Sequence, residues 1–211
     1  MFLRSYLKRW GVTIALALVC LAGVALFGAM TRGFAAVTSD GVRRIDIARA
    51  QPPLPAIALV DSRGEVFSLA DADPKARRTT LITLVYTQCV AICRNTASGL
   101  AYLQQQLRER RLAQQVRLLT ISFDPARDTP AALSDYARKM NADPAMWTVA
   151  TVANPSDLAR LLRYFEIVVL PDGLGDYVHN GAIFVADQRG RLVRAYDVDR
   201  PDQVLADLIP D

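Results

Sequence analysis

Apolar positions run in two rhythms along this chain, and the changes between them mark out its elements. Leu81, Ile82, Leu84 and Val85 form a short, nearly continuous apolar run rich in β-formers, the pattern of a strand covered on both faces. It ends at Tyr86-Thr87-Gln88. A helical stripe of Leu100, Leu103 and Leu107 follows, with Gln104 to Gln106, Arg108 and Arg110 mostly off it. Val116 to Phe123 predicts a second buried strand. Thr129 before Pro130 signals a helix start, with Thr as N-cap and Pro at the first helical position, and this helix should reach about Met140. Trp147 to Val152 predicts a third strand, and Asn154-Pro155-Ser156 starts a helix running to about Phe165. Pro171 to Gly175 reads as a loop. Ala182 to Ala186 and Leu192 to Tyr196, joined at Gln188-Arg189-Gly190, predict a closing hairpin, with a short helix at Pro201 to Leu208. Upstream, Ile57 to Val60 and Glu65 to Leu69 predict another hairpin around Asp61-Ser62-Arg63-Gly64, and Asp71 to Arg78 a polar loop.

Strands alternating with helices and closed by a hairpin and a helix predict an α/β domain with helices on both faces of its sheet. The β-hairpin at Ile57 to Leu69 would precede it. Two cysteines, Cys89 and Cys93, fall at the first strand–helix junction, which points to a thioredoxin-like domain. The expected division is an anchor at residues 1–31, a tether at 32–52 stiffened at its end by prolines, and the domain at 53–211.

The first segment is set apart by composition. Trp10 to Thr31 is uncharged, flanked by Lys8-Arg9 and Arg32, and long enough to cross a bilayer as a single transmembrane helix. Gly33-Phe34-Ala35 leaves signal cleavage open as an alternative. Basic residues before the span place the N-terminus in the cytoplasm and the body outside it, as in a bacterial inner-membrane protein with a periplasmic domain. Three of the four net positive charges belong to Arg4, Lys8 and Arg9, so the rest of the chain is almost neutral. That argues against a nucleic-acid footprint.

Three cysteines are too few for a disulfide scaffold. Cys20 lies in the apolar span and reads as a thiol facing lipid. Cys89 and Cys93 lie where a helix begins, and unpaired N–H groups with the positive end of the helix dipole favour thiolates there. Such a pair can form a disulfide, hold a metal, or be two inert core cysteines. His179 is the single histidine. In a thioredoxin-like sheet the loop before the closing hairpin folds against the first strand–helix junction, so His179 would face the thiols. Two thiolates and an imidazole suit copper in either oxidation state. A structural zinc site normally has four ligands, and no fourth is evident. Asp124 and Asp128 read as the surroundings of a turn and helix cap, or else as an acidic partner contact or support for the site.

Tyr86-Thr87-Gln88-Cys89-x3-Cys93, then Asp124-Pro125-x-x-Asp128-Thr129-Pro130, then His179 before a strand and the Gly190 turn, resembles the Sco/SenC (PrrC-like) family of copper chaperones. The resemblance runs from about Pro53 to Tyr196. It implies a membrane-tethered domain binding one copper ion through Cys89, Cys93 and His179. It also implies delivery of that copper to the copper A-bearing subunit of cytochrome c oxidase, or preparation of the cysteines there. The family usually places proline after each cysteine and Asp before the histidine, where this chain has Val90, Arg94 and Val178. A thiol–disulfide oxidoreductase using Cys89 and Cys93, served by a thiol reductant protein, is the alternative. A tethered assembly scaffold with vestigial cysteines is a third class. A thiol peroxidase is disfavoured, since Tyr86 stands where that pattern has Thr.

Two expectations follow from this division. A chain beginning at Arg32 should stay in solution without detergent, and a need for detergent would show that the anchor extends further. Cys20→Ser should leave metal binding and thiol exchange unchanged, as a metal titration and an exchange assay would report.

Overall fold

The computed structural model describes residues 2–71, 78–88 and 92–208, with the side chains of 2–9 and 92–97 outside the description. The expected loop at Asp71 to Arg78 therefore lies outside it over residues 72–77. The chain divides into two compact units, Met1–Asp46 and Ile47–Asp211.

In the first unit, α1 (Phe2–Met30) contains Trp10–Met30, a stretch long and apolar enough to cross a membrane. Cys20 within it is a free, exposed thiol. The segment read as a tether carries a helix, α2 (Ser39–Ala50). Its sequence has no broad apolar stripe to announce it. Local polar contacts help hold it instead: Gly41 N–H donates to Thr38 Oγ1, Arg43 pairs with Asp40 at i,i+3, and Arg32 makes a two-point contact with Asp46.

The second unit is built on a seven-stranded sheet ordered β2-β1-β5-β4-β3-β8-β9. Its strands are β1 (Ala58–Asp61), β2 (Val66–Ser68), β3 (Thr79–Val85), β4 (Val116–Ser122), β5 (Trp147–Val152), β8 (Ile183–Ala186) and β9 (Leu192–Tyr196). β3, β4 and β5 run parallel, and the other neighbours pair antiparallel. Every residue of β4, and every residue of β3 after Thr79, is buried, as a parallel centre requires. Polar side chains in this centre are satisfied internally: Trp147 Nε1–H donates to Thr120 Oγ1 at 2.9 Å, and Thr151 Oγ1–H to the Ser122 carbonyl at 3.0 Å.

α3 (Ile92–Glu109) joins β3 to β4 and buries Leu100, Leu103 and Leu107 completely, each contributing roughly 2 kcal/mol. Gln104, expected off the stripe, is buried too. Its amide donates to the Asn141 carbonyl and accepts from Asp143 N–H, tying α3 to the end of α4. α4 (Pro130–Lys139) begins as expected, with Thr129 Oγ1 accepting from Ala132 N–H. A short 3₁₀ turn at Pro155–Asp157 leads into α5 (Leu158–Phe165), and α6 (Pro201–Leu208) closes the chain beside α3 and β9. The core order β4-β3-β8-β9, with α3 after its first strand and α6 after its last, is thioredoxin-like. β5 and the β1–β2 hairpin extend it. One feature matters below: the loop read at Pro171 to Gly175 is flanked by two short strands, β6 (Val169–Pro171) and β7 (Tyr177–His179), which pair as a separate ribbon.

The proline lead-in is held by an isolated bridge between Pro53 and Arg191 and by Tyr164, whose hydroxyl donates to the carbonyls of Pro53 (2.9 Å) and Pro52 (3.2 Å). Burial pushes the Tyr164 phenol from 10.0 up to about 12, against a smaller lowering by Arg191. An unfolded chain loses that proton first, so this contribution to stability is complete below the ordinary phenol pKa and is lost as pH rises to about 12. Tyr164→Phe should cost about 1 kcal/mol near neutrality. Denaturant melts should also show that the variant's deficit shrinks across this alkaline window.

Candidate metal centre

β3 and β4 pair in register from Thr79↔Val116 to Val85↔Ser122, so their C-terminal ends lie side by side. Tyr86 and Thr87 leave one strand where Phe123 and Asp124 leave the other. Sites in open α/β sheets form at such strand ends.

Against these ends packs the β6–β7 ribbon. Its register, Val169↔His179, Leu170↔Val178 and Pro171↔Tyr177, fixes the alternation of its two faces. Tyr177 and His179 meet Tyr86 and Phe123 in a cluster of edge-on and tilted rings. Centroids are 4.9 Å apart for Phe123–His179, 5.3 Å for Tyr86–Tyr177, 5.4 Å for Tyr86–Phe123 and 6.1 Å for Tyr86–His179. Tyr86 O–H donates to Asp176 at 2.6 Å. The connection between the strands is tightened by Asp172, whose carboxylate accepts from Leu174 and Asp176 N–H. These two bonds hold its pKa below the usual carboxylate value. Gly173 and Gly175 take left-handed φ values there, of +80° and +96°.

His179 is 7% exposed. Its Nδ1 lies 2.8 Å from the Asn180 carbonyl. A carbonyl only accepts, so Nδ1 carries the proton, and in the neutral ring the lone pair resides on Nε2, the arrangement found in metal-ligating histidines. Asn180 is itself fixed: its side chain accepts from Val168 N–H at 2.8 Å and donates to the Glu166 carbonyl at 3.1 Å. The histidine is thus brought to the end of β3 and seated on Tyr86, three residues before Cys89. Cys89 lies outside the described residues. Cys93 is the second residue of α3, and its side chain is outside the description.

Asp124 and Asp128 are not exposed partner contacts. Asp128 is 1% exposed and accepts from Thr87 N–H (2.9 Å), Thr87 Oγ1–H and Ser122 Oγ–H. Asp124 is ion-paired to Arg127. Arg127 also donates to the Gly175 carbonyl at 2.9 Å and lies over the rings of Tyr177 (5.0 Å) and Tyr86 (5.7 Å). The bond to Asp124 raises the guanidinium pKa, so Arg127 stays charged. Sequence reasoning missed the contributions of Arg127, Asp176 and Asn180. The Asp172-Gly173 turn between alternating stretches was the one signal for the ribbon.

The SCO1/SenC family model matches residues 50–210. The chain is 24% identical over 119 residues to a SCO1 protein homolog of Bacillus subtilis (strain 168), a match covering 56% of this chain and 61% of that protein. It thus spans less than two thirds of that relative's length. Among solved structures it is similar to copper-bound ScoI of Bradyrhizobium japonicum, with a TM-score of 0.59, 25% identity, and coverage of 72% of this chain and 94% of that one. It is also similar to BsSco, described through a disulfide switch in a member of the Sco family of cytochrome c oxidase assembly proteins. That comparison has a TM-score of 0.63, 18% identity, and coverage of 75% and 92%.

Asn180→Ala should destabilise the domain by about 1–2 kcal/mol, since it removes the bonds to the Val168 N–H and the Glu166 carbonyl. Amide exchange should rise first at Val168.

Proposed function

The chain belongs to the SCO1/SenC family, and on that premise we propose that it is a membrane-tethered copper chaperone. It holds one copper ion between Cys89, Cys93 and His179 and passes it by ligand exchange to the copper A-bearing subunit of cytochrome c oxidase. The observation that carries this reading is His179: it is fixed against the β3 exit with Nδ1–H committed to a carbonyl and Nε2 carrying the lone pair. Cys89, between β3 and α3, and Cys93, in the first turn of α3, would supply the soft donors that copper prefers. Copper-bound ScoI and the oxidase-assembly role stated for the Sco family of BsSco support both cargo and client. The Trp10–Met30 helix supports a single-pass anchor, and the basic residues before it support a domain on the periplasmic side of a bacterial inner membrane.

Transfer follows from the donor set. Two thiolates satisfy cuprous ion in a nearly linear arrangement, whereas cupric ion takes a further nitrogen donor in a more planar one. An incoming thiolate of the client can therefore displace one donor at a time without leaving the ion bare.

A second reading, thiol–disulfide exchange by Cys89 and Cys93, is favoured by the disulfide switch named for BsSco. The two readings part on His179. In copper titrations of the reduced full chain in detergent, His179→Ala should lose about 10–100-fold in cupric affinity. Its cuprous affinity should change far less, while Cys89→Ala or Cys93→Ala should weaken both. Exchange that proceeds with no stoichiometric copper and is indifferent to His179→Ala would replace the chaperone reading with the second.

A further inference from the structure

The connection from β4 to α4 carries two consecutive side chains that reach different arms of the candidate site. Asp128 binds the exit of β3 through the N–H and hydroxyl of Thr87, two residues before Cys89. Arg127 binds the connection and strand that carry His179, through the Gly175 carbonyl and the face of Tyr177. We propose that Arg127 and Asp128 form a two-armed clamp that sets the separation of the thiol-bearing and histidine-bearing segments. They are positioning residues for the metal site and not ligands of it. The inference rests on the reading of Cys89, Cys93 and His179 as copper ligands.

The need for such a clamp follows from the topology. Among the described residues the β6–β7 ribbon pairs with neither edge of the seven-stranded sheet, so no ladder of backbone hydrogen bonds there sets its position. A two-stranded hairpin has little stability of its own. Its place is set by the ring cluster, by Tyr86 on Asp176, by Asn180, and by Arg127. Arg127 suits the task because a planar guanidinium can stack on Tyr177 while its edge donates to a carbonyl and a carboxylate, which an ammonium cannot reproduce. Asp128 suits the other arm because a buried carboxylate accepts from all three donors around it, whereas an amide would turn an NH2 group toward one of them. Adjacency in the chain couples the arms. Asp128 is held by Ser122 and Arg127 directly precedes it, so both reach out from the same end of β4.

Arg127 makes two kinds of contact: a partly exposed ion pair with Asp124, worth little by itself, and its bonds to the ribbon. Asp124→Asn separates the two, because it removes that pair and keeps the Gly175 and Tyr177 contacts.

The experiment uses the full chain in detergent, as wild type, Arg127→Ala, Arg127→Lys, Asp124→Asn and Asp128→Asn. Amide exchange is measured on the metal-free protein, and cuprous and cupric titrations with cupric paramagnetic resonance on the loaded one. In Arg127→Ala the amides of Asp172, Asp176 and Asn180 should exchange at least about tenfold faster while Thr87 keeps its protection. Cupric affinity should fall about 10–100-fold with loss of nitrogen hyperfine structure, and cuprous affinity should stay within about threefold. Arg127→Lys should not restore it, and Asp124→Asn should resemble wild type. Asp128→Asn should instead expose Thr87 and weaken both oxidation states. Should that variant fail to fold, Thr87→Val, which removes one donor and keeps the shape, takes its place. The clamp is overturned if Arg127→Ala leaves ribbon exchange and cupric affinity unchanged, or if every variant loosens both arms alike. If wild type binds no copper, the chaperone reading fails, and the exchange data alone still decide whether the two arms are held separately.

Discussion

The in-register parallel pairing of β3 with β4 is the constraint on which the rest of the site depends. Parallel strands buried on both faces admit no polar exit along their length, so chemistry is displaced to their ends. With Val85 opposite Ser122, the next residues of each strand emerge together. That single register puts Thr87 within reach of Asp128 and Tyr86 within reach of Phe123. A slip would separate the thiol-bearing connection from the acidic loop that braces it. The β3–β4 register thus sets the neighbours at the strand exits as well as the centre of the sheet.

The histidine reaches the same place by other means. The ribbon carrying it is outside the main sheet, and side chains do the work that backbone ladders do elsewhere. Aromatic edges, one phenol–carboxylate bond, one guanidinium and one asparagine position it. Such contacts are individually modest but act at several points of a short element. They also confine the imidazole to one orientation, since the Asn180 carbonyl selects the proton position and Phe123 and Tyr86 flank the ring.

What could be read from the sequence divides along the same line. The buried strands were legible because a both-faces-covered strand writes itself as an unbroken apolar run, and Thr129-Pro130 marked α4 by local cap chemistry. The hairpin Ile183–Tyr196 and the last helix were equally local. β6 and β7 were not, because each has three residues, one face open to solvent and, in β6, a proline. α2 escaped because charge pairs stand in for an apolar stripe. Asp128 reads in sequence as an acid near a cap, yet its contacts are set by Thr87, forty-one positions away in sequence. Arg127 was unreadable for the same reason: Gly175 and Tyr177 become its neighbours only through the ribbon.

Two departures from the family pattern, Val178 and Arg94, differ in where the fold puts them. Residue 178 pairs with Leu170, and both side chains are exposed on the ribbon's outer face, opposite in alternation to His179. An Asp there would stand off the histidine, whose Nδ1 partner is already the carbonyl of Asn180. Val178 therefore leaves the support of the imidazole intact, contrary to what adjacency in sequence suggests. Arg94 is a different case. It is the third residue of α3, in the first turn, where helical N–H groups have no partner within the helix. Proline at such a position would remove one of those donors at little cost to the helix. Arg94 retains it, one residue from Cys93. Where the chain has Arg94, the backbone N–H that a proline would remove is kept at the positive end of the helix field.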